Sequence, residues 1–174
     1  MRRRLPVVLL ACLWLIAGSA CGPEPDLTQL ELVPGISGYY DDGIVQSGPE
    51  QGQNRLLPSV TFQLKNEGTL PVTYVDLVVA YWRVAVDDGE KESKVIQGIG
   101  GTPLGPGETA DSITVRSSVG YTSPAARAEF FLHSEFIDFK VKVFAKRGGR
   151  TVSLGELAVE RRLLPAVPKS GVRQ

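Results

Sequence analysis

Polar and apolar positions alternate with period two over much of this chain, and helical periodicity is nearly absent. The clearest run is Ser59–Lys65. Val60, Phe62 and Leu64 fall in one phase, Ser59, Thr61, Gln63 and Lys65 in the other, and Asn66-Glu67-Gly68 closes it as a turn. Tyr74–Val86 follows and is apolar in both phases, which predicts either a central strand or one that twists so that each half buries a different face, with Trp82 as the centrepiece of the core. Asp87-Asp88-Gly89 ends it, and Lys94–Ile99 returns as its hairpin partner. Asp111–Arg116 turns Ile113 and Val115 inward and Arg116 outward. Asp138–Lys146 alternates again, with Phe139, Val141, Val143 and Ala145 inside, and Arg147-Gly148-Gly149 turns it into Thr151–Arg161. There Val152 and Leu154 hold one phase and Leu157 and Val159 the other, so a β-bulge is expected at Gly155. Leu30 and Leu32 mark a first strand over Thr28–Val33.

Only Ser123–Leu132 reads as helix, with Ser123 as N-cap, Pro124 at the first helical position and Ala125, Ala126 and Ala128 behind it. Residues 34–58 are rich in glycine and read as a long, partly ordered loop carrying Tyr39, Tyr40 and Ile44. About seven short strands separated by turn signals, with one short helix near 123–132, predict an all-β chain whose residues 27–164 form a single β-sandwich. Residues 165–174 read as a flexible tail.

The first 21 residues have a different texture. Arg2, Arg3 and Arg4 precede a continuous apolar run, Leu5–Ala17, and the small residues Gly18, Ser19 and Ala20 lead to Cys21. The run is shorter than the ~20 residues a helix needs to cross hydrocarbon, which disfavours an uncleaved anchor. Ala17-Gly18-Ser19-Ala20-Cys21 resembles the bacterial lipobox, although Gly18 stands where leucine is usual. The resemblance implies that residues 1–20 are a lipoprotein signal peptide cut between Ala20 and Cys21, with diacylglycerol on the Cys21 thiol. An ordinary signal peptide whose cleavage happens to precede a cysteine is the alternative. Two acyl chains anchor stably where one would not. Residues 21–26 then read as an extended tether held open by Pro23 and Pro25. Residue 22 is Gly rather than Asp, which by resemblance to enterobacteria-like sorting implies the outer membrane, facing the periplasm.

Charge and cysteine usage narrow the chemistry. The 19 basic and 19 acidic residues balance, but three of the arginines lie in the leader, leaving 16 against 19 and a net charge of −3. A nucleic-acid partner is therefore not expected, because phosphate neutralisation needs a basic surface. Cys12 and Cys21 are the only cysteines, so the domain beyond the leader holds no internal disulfide. A chain of about 150 residues buries roughly 68–70% of its unfolded surface and needs no staple.

The candidates for chemistry are few. His133 is the only histidine, placed after the expected helix where a cation meets the last carbonyls, so a Ser–His–Asp constellation and a zinc site are both disfavoured. Asp41-Asp42-Gly43 and Asp87-Asp88-Gly89 read as tight turns rather than calcium loops, and no cofactor is expected. Gly98-Ile99-Gly100-Gly101 lacks the lysine and helix of a phosphate loop. Tyr39-Tyr40 has two readings, an aromatic contact for a sugar or partner and a lid over one end of the sandwich. Arg116 could meet a carboxylate or a partner protein. Gly120-Tyr121-Thr122 beside it reads either as part of that surface or as a corner lock, with the Tyr121 hydroxyl on a backbone group.

Two resemblances bear on this pattern. Asn66-Glu67-Gly68, Pro71-Val72, Tyr74-Val75 and Leu77, followed by Pro103-Leu104 and Pro106-Gly107-Glu108-Thr109, resemble bacterial immunoglobulin-like domains of the FxLYD kind over the middle third of the chain. Arg116-Ser117-Ser118, Gly120-Tyr121-Thr122, Phe136, Asp138, Lys140-Val141, Phe144-Ala145-Lys146, Leu154-Gly155-Glu156, Arg161 and Leu163-Leu164 are similar to bacterial lipoproteins of uncharacterised activity. The resemblance implies an immunoglobulin-like sandwich in the cell envelope and transfers no catalytic residue. The expectation is a non-enzymatic interaction module, lipid-anchored at Cys21, with an envelope protein as partner. The alternative is a small-ligand or glycan binder using Tyr39-Tyr40.

Overall fold

The alternation builds two antiparallel sheets. The computed structural model describes residues 23–84 and 89–165, so the leader, Cys21, the Asp87-Asp88 pair and the tail from 166 lie outside the described residues. Strands β1 (Leu30–Ile44), β2 (Asn54–Asn66) and β5 (Ile113–Arg116) form one sheet in the order β1-β2-β5, and β6 (Tyr121–Ser123) also pairs with β2. Strands β3 (Val75–Arg83), β4 (Glu90–Ile99), β7 (Phe139–Arg147) and β8 (Arg150–Ala158) form the other, in the order β4-β3-β7-β8. This is the strand order of an immunoglobulin-like β-sandwich, with β6 added to the expected seven strands.

The inner faces are those the alternation assigns. Val60, Phe62 and Leu64 of β2 are fully buried and meet Val75, Leu77, Val79 and Tyr81 of β3 and Val141, Val143 and Ala145 of β7. Two polar side chains cross this apolar seam. The Tyr81 hydroxyl donates to the Val115 carbonyl of β5 at 3.0 Å. The Phe139 amide of β7 donates to the Tyr39 hydroxyl of β1 at 3.3 Å. A third polar anchor closes the base. Asn66, 1% exposed, donates its amide to the carbonyls of Leu70 and Leu104 and accepts from the Gly68 N–H, each at 2.9 Å.

Three expectations change. Trp82 is not the core centrepiece. β3 is apolar on both faces, and the phase that faces β2 carries Tyr81, which puts Trp82 on the outer face beneath Lys142, whose ammonium lies 4.5 Å from the ring centre. Residues 34–58 are not a long loop, since β1 runs to Ile44 and β2 starts at Asn54. Two register shifts in β1, at Pro34/Ser37 and Asp41/Gly43, break the alternation that would have revealed the strand. Asp41-Asp42-Gly43 is accordingly one of these bulges rather than a separate turn, with the Gly43 amide on the Asp41 carboxylate at 2.9 Å. Finally, the helix expected over 123–132 is a 3-10 helix over Arg127–Leu132, and Ser123 belongs to β6. The Ser123 hydroxyl does accept from Ala125 N–H, but Ala126 is the cap residue. Tertiary demand overrides local propensity here, because Phe130 and Phe136 must both reach the core.

The bulge expected at Gly155 is present. Val143 pairs with Gly155 while Phe144 pairs with Ser153, leaving Leu154 unpaired, and Gly155 adopts φ 145°. Of the tether expected over 21–26 only 23–26 lie among the described residues; there Asp26 caps a 3-10 turn over Leu27–Gln29 and Glu24 lies 3.7 Å from Arg150.

Removing the Tyr81 hydroxyl tests the cross-sheet bond. Tyr81→Phe is expected to lower unfolding free energy in urea by about 0.5–1.5 kcal/mol while keeping the far-ultraviolet spectrum, because one buried hydrogen bond is removed while the Val115 carbonyl keeps the Ser59 hydroxyl at 3.3 Å.

Candidate functional site

Alternation at two strands assembles the site. Tyr39 points inward and is 0% exposed, so Tyr40 points outward on β1. Val115 points inward, so Arg116 points outward on β5. Both strands pair with β2, where Tyr40 sits opposite Leu57 and Arg116 opposite Ser59. The two outward side chains therefore meet across one strand, and the Arg116 guanidinium lies 4.2 Å above the Tyr40 ring.

A bulge completes the arrangement. Between Pro34, opposite Phe62, and Ser37, opposite Val60, Gly35 and Ile36 share the single residue Thr61 across the ladder. Gly35 is required at this point, because a Cβ there would lie 2.7 Å from the Thr61 carbonyl oxygen. Ile36 is turned into solvent and is 59% exposed. Ile36, Tyr40, Thr61, Thr114, Arg116 and Leu164 line a groove of about 240 Å³. The Thr61 and Thr114 hydroxyls share a hydrogen bond of 2.8 Å on its floor. The chain after β8 forms one wall: Tyr39 N–H donates to the Arg162 carbonyl and Leu164 N–H to the Tyr39 carbonyl, both at 2.8 Å.

Charged groups from the other sheet fix the strand end that carries Arg116. The Lys94 ammonium of β4 donates to the Arg116 carbonyl. Glu92 accepts from the Ser117 hydroxyl at 2.6 Å, from the Ser118 N–H at 2.8 Å and from the Ser118 hydroxyl. Burial pushes the Glu92 carboxyl upward, but these hydrogen bonds and the Lys94 charge outweigh it and hold the group below its ordinary value of 4.5.

Tyr121 and His133 are elsewhere. The Tyr121 hydroxyl does not lock onto a backbone group as the corner reading expects; it bonds His133 Nδ1 at 2.7 Å. The Glu135 N–H reaches the same nitrogen at 3.3 Å. Burial, and then Glu135, raise the Tyr121 phenol above its ordinary value. Tyr121 packs edge-on against Phe130 and Phe136, and Tyr39 and Phe131 join the same aromatic plug at one end of the sandwich. Tyr39 is thus core, and the ligand-facing reading of the Tyr39-Tyr40 pair keeps only Tyr40.

A second hollow, about 380 Å³, lies between the end of β4 and residues 108–113. It is lined by Gly98, Gly100, Thr109, Asp111 and Ser112, and the Glu108 carboxylate there accepts the Gly105 N–H at 2.7 Å. Among the described residues no three His, Cys, Asp or Glu side chains converge as metal ligands, and no helix is long and apolar enough to cross a membrane. No family model matches the chain, and no curated protein matches it.

The sequence named Tyr40 and Arg116 separately; the structure brings them together and leaves Tyr121 in the plug. Ile36 was missed, although Pro34-Gly35 ahead of it is the kind of interruption that marks a bulge in a strand.

Acid should loosen the strand end behind the groove. Glu92 has a folded value below its unfolded one, so its contribution is fully present above the unfolded carboxyl range and is lost as pH falls through the depressed folded value. In denaturation curves taken at successive pH values from 6 down to about 3, the wild type is expected to lose more stability than Glu92→Gln.

Proposed function

We propose that this chain is a lipid-anchored envelope protein, tethered through Cys21 at the periplasmic side of the outer membrane, whose sandwich acts as a non-enzymatic interaction module for another envelope protein. The observation that carries the interaction reading is the groove face. An isoleucine pushed outward by a bulge stands beside an arginine stacked on a tyrosine. Tyrosine and arginine dominate the energetic centres of protein interfaces, and a bulge is a recurrent device for re-aiming a side chain. Stacking on Tyr40 desolvates one face of the guanidinium while its edge stays directed to a partner's carboxylate. The volume, about 240 Å³, lies below the roughly 300–1,000 Å³ of small-molecule pockets, and one face of Tyr40 is already covered by Arg116. Both points favour a protein side chain over a sugar as occupant. Kinship with lipoproteins that carry FxLYD-like domains belongs to the same proposal, and the lipobox-like run before Cys21 supports the anchor.

A photo-crosslinking residue at Ile36 in intact cells tests the interface. It should give a discrete heavier adduct that Arg116→Ala weakens by about tenfold or more, the loss of a charge-assisted contact of roughly 1.5–3 kcal/mol. The same residue at Val95, exposed on the outer face of the other sheet, should give none. Equal adducts at both positions, or none at Ile36, contradict the proposal.

A further inference from the structure

The described chain begins at Pro23, two residues after Cys21, and Glu24 is already ion-paired to Arg150 at 3.7 Å. Three residues of chain reach at most about 11 Å. An acylated Cys21 would therefore lie within that distance of Glu24, whose carboxylate meets Arg150 at the β7–β8 turn, and the end of the sandwich carrying that turn satisfies this leash. That end is formed by the entry to β1, the segment joining β2 to β3, the segment joining β4 to β5 and the β7–β8 turn. Leu30 is paired with Asn66, Val75 with Ile99, Val72 with Leu104 and Asp76 with Lys146.

The surface of this end suits a headgroup layer. Tyr74 is 67% exposed and held at φ 52°, the left-handed region that a bulky residue occupies at a cost, with its N–H on the Gly100 carbonyl at 3.0 Å. An aromatic ring with a polar tip favours the boundary between acyl chains and water. Pro71, Pro103 and Pro106 are exposed around it and carry no charge. The Arg147–Arg150 turn borders the same end, with the Arg150 side chain 59% exposed and paired to Glu24. Carboxylates also ring this end: Glu24 pairs with Arg150 and Glu67 with Lys65, Asp26 and Glu108 accept the Thr28 and Gly105 N–H groups, and Asp76 is exposed at the start of β3.

We infer that the tether end of the sandwich, with Tyr74 and the Arg147–Arg150 turn, rests on the phospholipid surface, so that the domain stands on the bilayer in one orientation. The inference depends on the lipid-anchor reading. Its corollary is spatial. On β2 the partners of Leu30 and Tyr39, Asn66 and Pro58, are eight steps apart, roughly 26 Å at about 3.3 Å per residue, so the Tyr40–Arg116 groove is carried away from the membrane toward the periplasm.

Spin labels on the native lipidated chain test it, because the domain has no other thiol once Cys21 is acylated. Single variants Tyr74→Cys, Gly149→Cys and Ser134→Cys are purified from membranes and placed on phosphatidylethanolamine–phosphatidylglycerol vesicles. A Cβ at Gly149 meets no atom within 4 Å, and Ser134 is exposed near the aromatic plug at the opposite end. Mass spectrometry of each N-terminus first establishes the acyl chains. With them present, labels at 74 and 149 should lose accessibility to a water-soluble relaxing agent and gain it to oxygen, while the label at 134 stays aqueous. Equal aqueous accessibility at all three positions, or membrane depth at 134, overturns the orientation while leaving the anchor standing. An unmodified Cys21 overturns both.

Discussion

The sandwich depends on two phenol groups buried between its sheets. The other facing side chains of β2, β3 and β7 are hydrocarbon, and hydrocarbon packing is tolerant of sliding and of alternative hydrophobic fillings. A buried hydroxyl is not tolerant, because it must meet its partner or stand unpaired at a cost of a few kcal/mol. Tyr81 reaches from β3 to the Val115 carbonyl of β5, and Tyr39 of β1 receives the Phe139 amide of β7. Each bond joins one sheet to the other at a single register. Burial pushes both phenols far above their ordinary value of 10, so these hydroxyls stay neutral across the physiological range.

The groove follows from those two bonds by the pleat of a strand. With Tyr39 held inward, its neighbour Tyr40 must face outward; with Val115 held inward, Arg116 must do the same. β2 lies between them and sets the spacing at which guanidinium and ring stack. Glu92 and Lys94 then hold the end of β5 from the other sheet. Core register and surface chemistry are therefore one arrangement seen from two faces. A change that slipped β1 or β5 by one residue would bury Arg116 or Tyr40 and expose a core side chain in its place.

Much of this was legible along the chain, and the failures have local causes. The strands β2, β7 and β8 and the bulge at Gly155 follow from clean alternation or from its phase change. β3 was legible as a strand but not as to facing, because Val78, Ala80 and Trp82 are as apolar as Leu77, Val79 and Tyr81, and only pairing with the opposite sheet chooses between them. β1 was hidden beyond Val33 because two bulges and several glycines interrupt its period. The Ser123-Pro124 start signal is sound local grammar, yet the following aromatics are pulled into the core and leave room for only a 3-10 helix. Tyr40 and Arg116 were each visible as outward or loop residues. Their stacking was not, since it depends on strands 76 positions apart meeting through a third.

The buried register places the Arg116 guanidinium on the Tyr40 ring. The direct measurement is the chemical shift of the Arg116 δ-methylene protons, which a ring 4.2 Å from the guanidinium carbon moves upfield. These protons are expected upfield in the wild type, less so in Tyr81→Phe, and at the unstructured value in Tyr40→Leu. A wild-type Arg116 already at the unstructured value would contradict it.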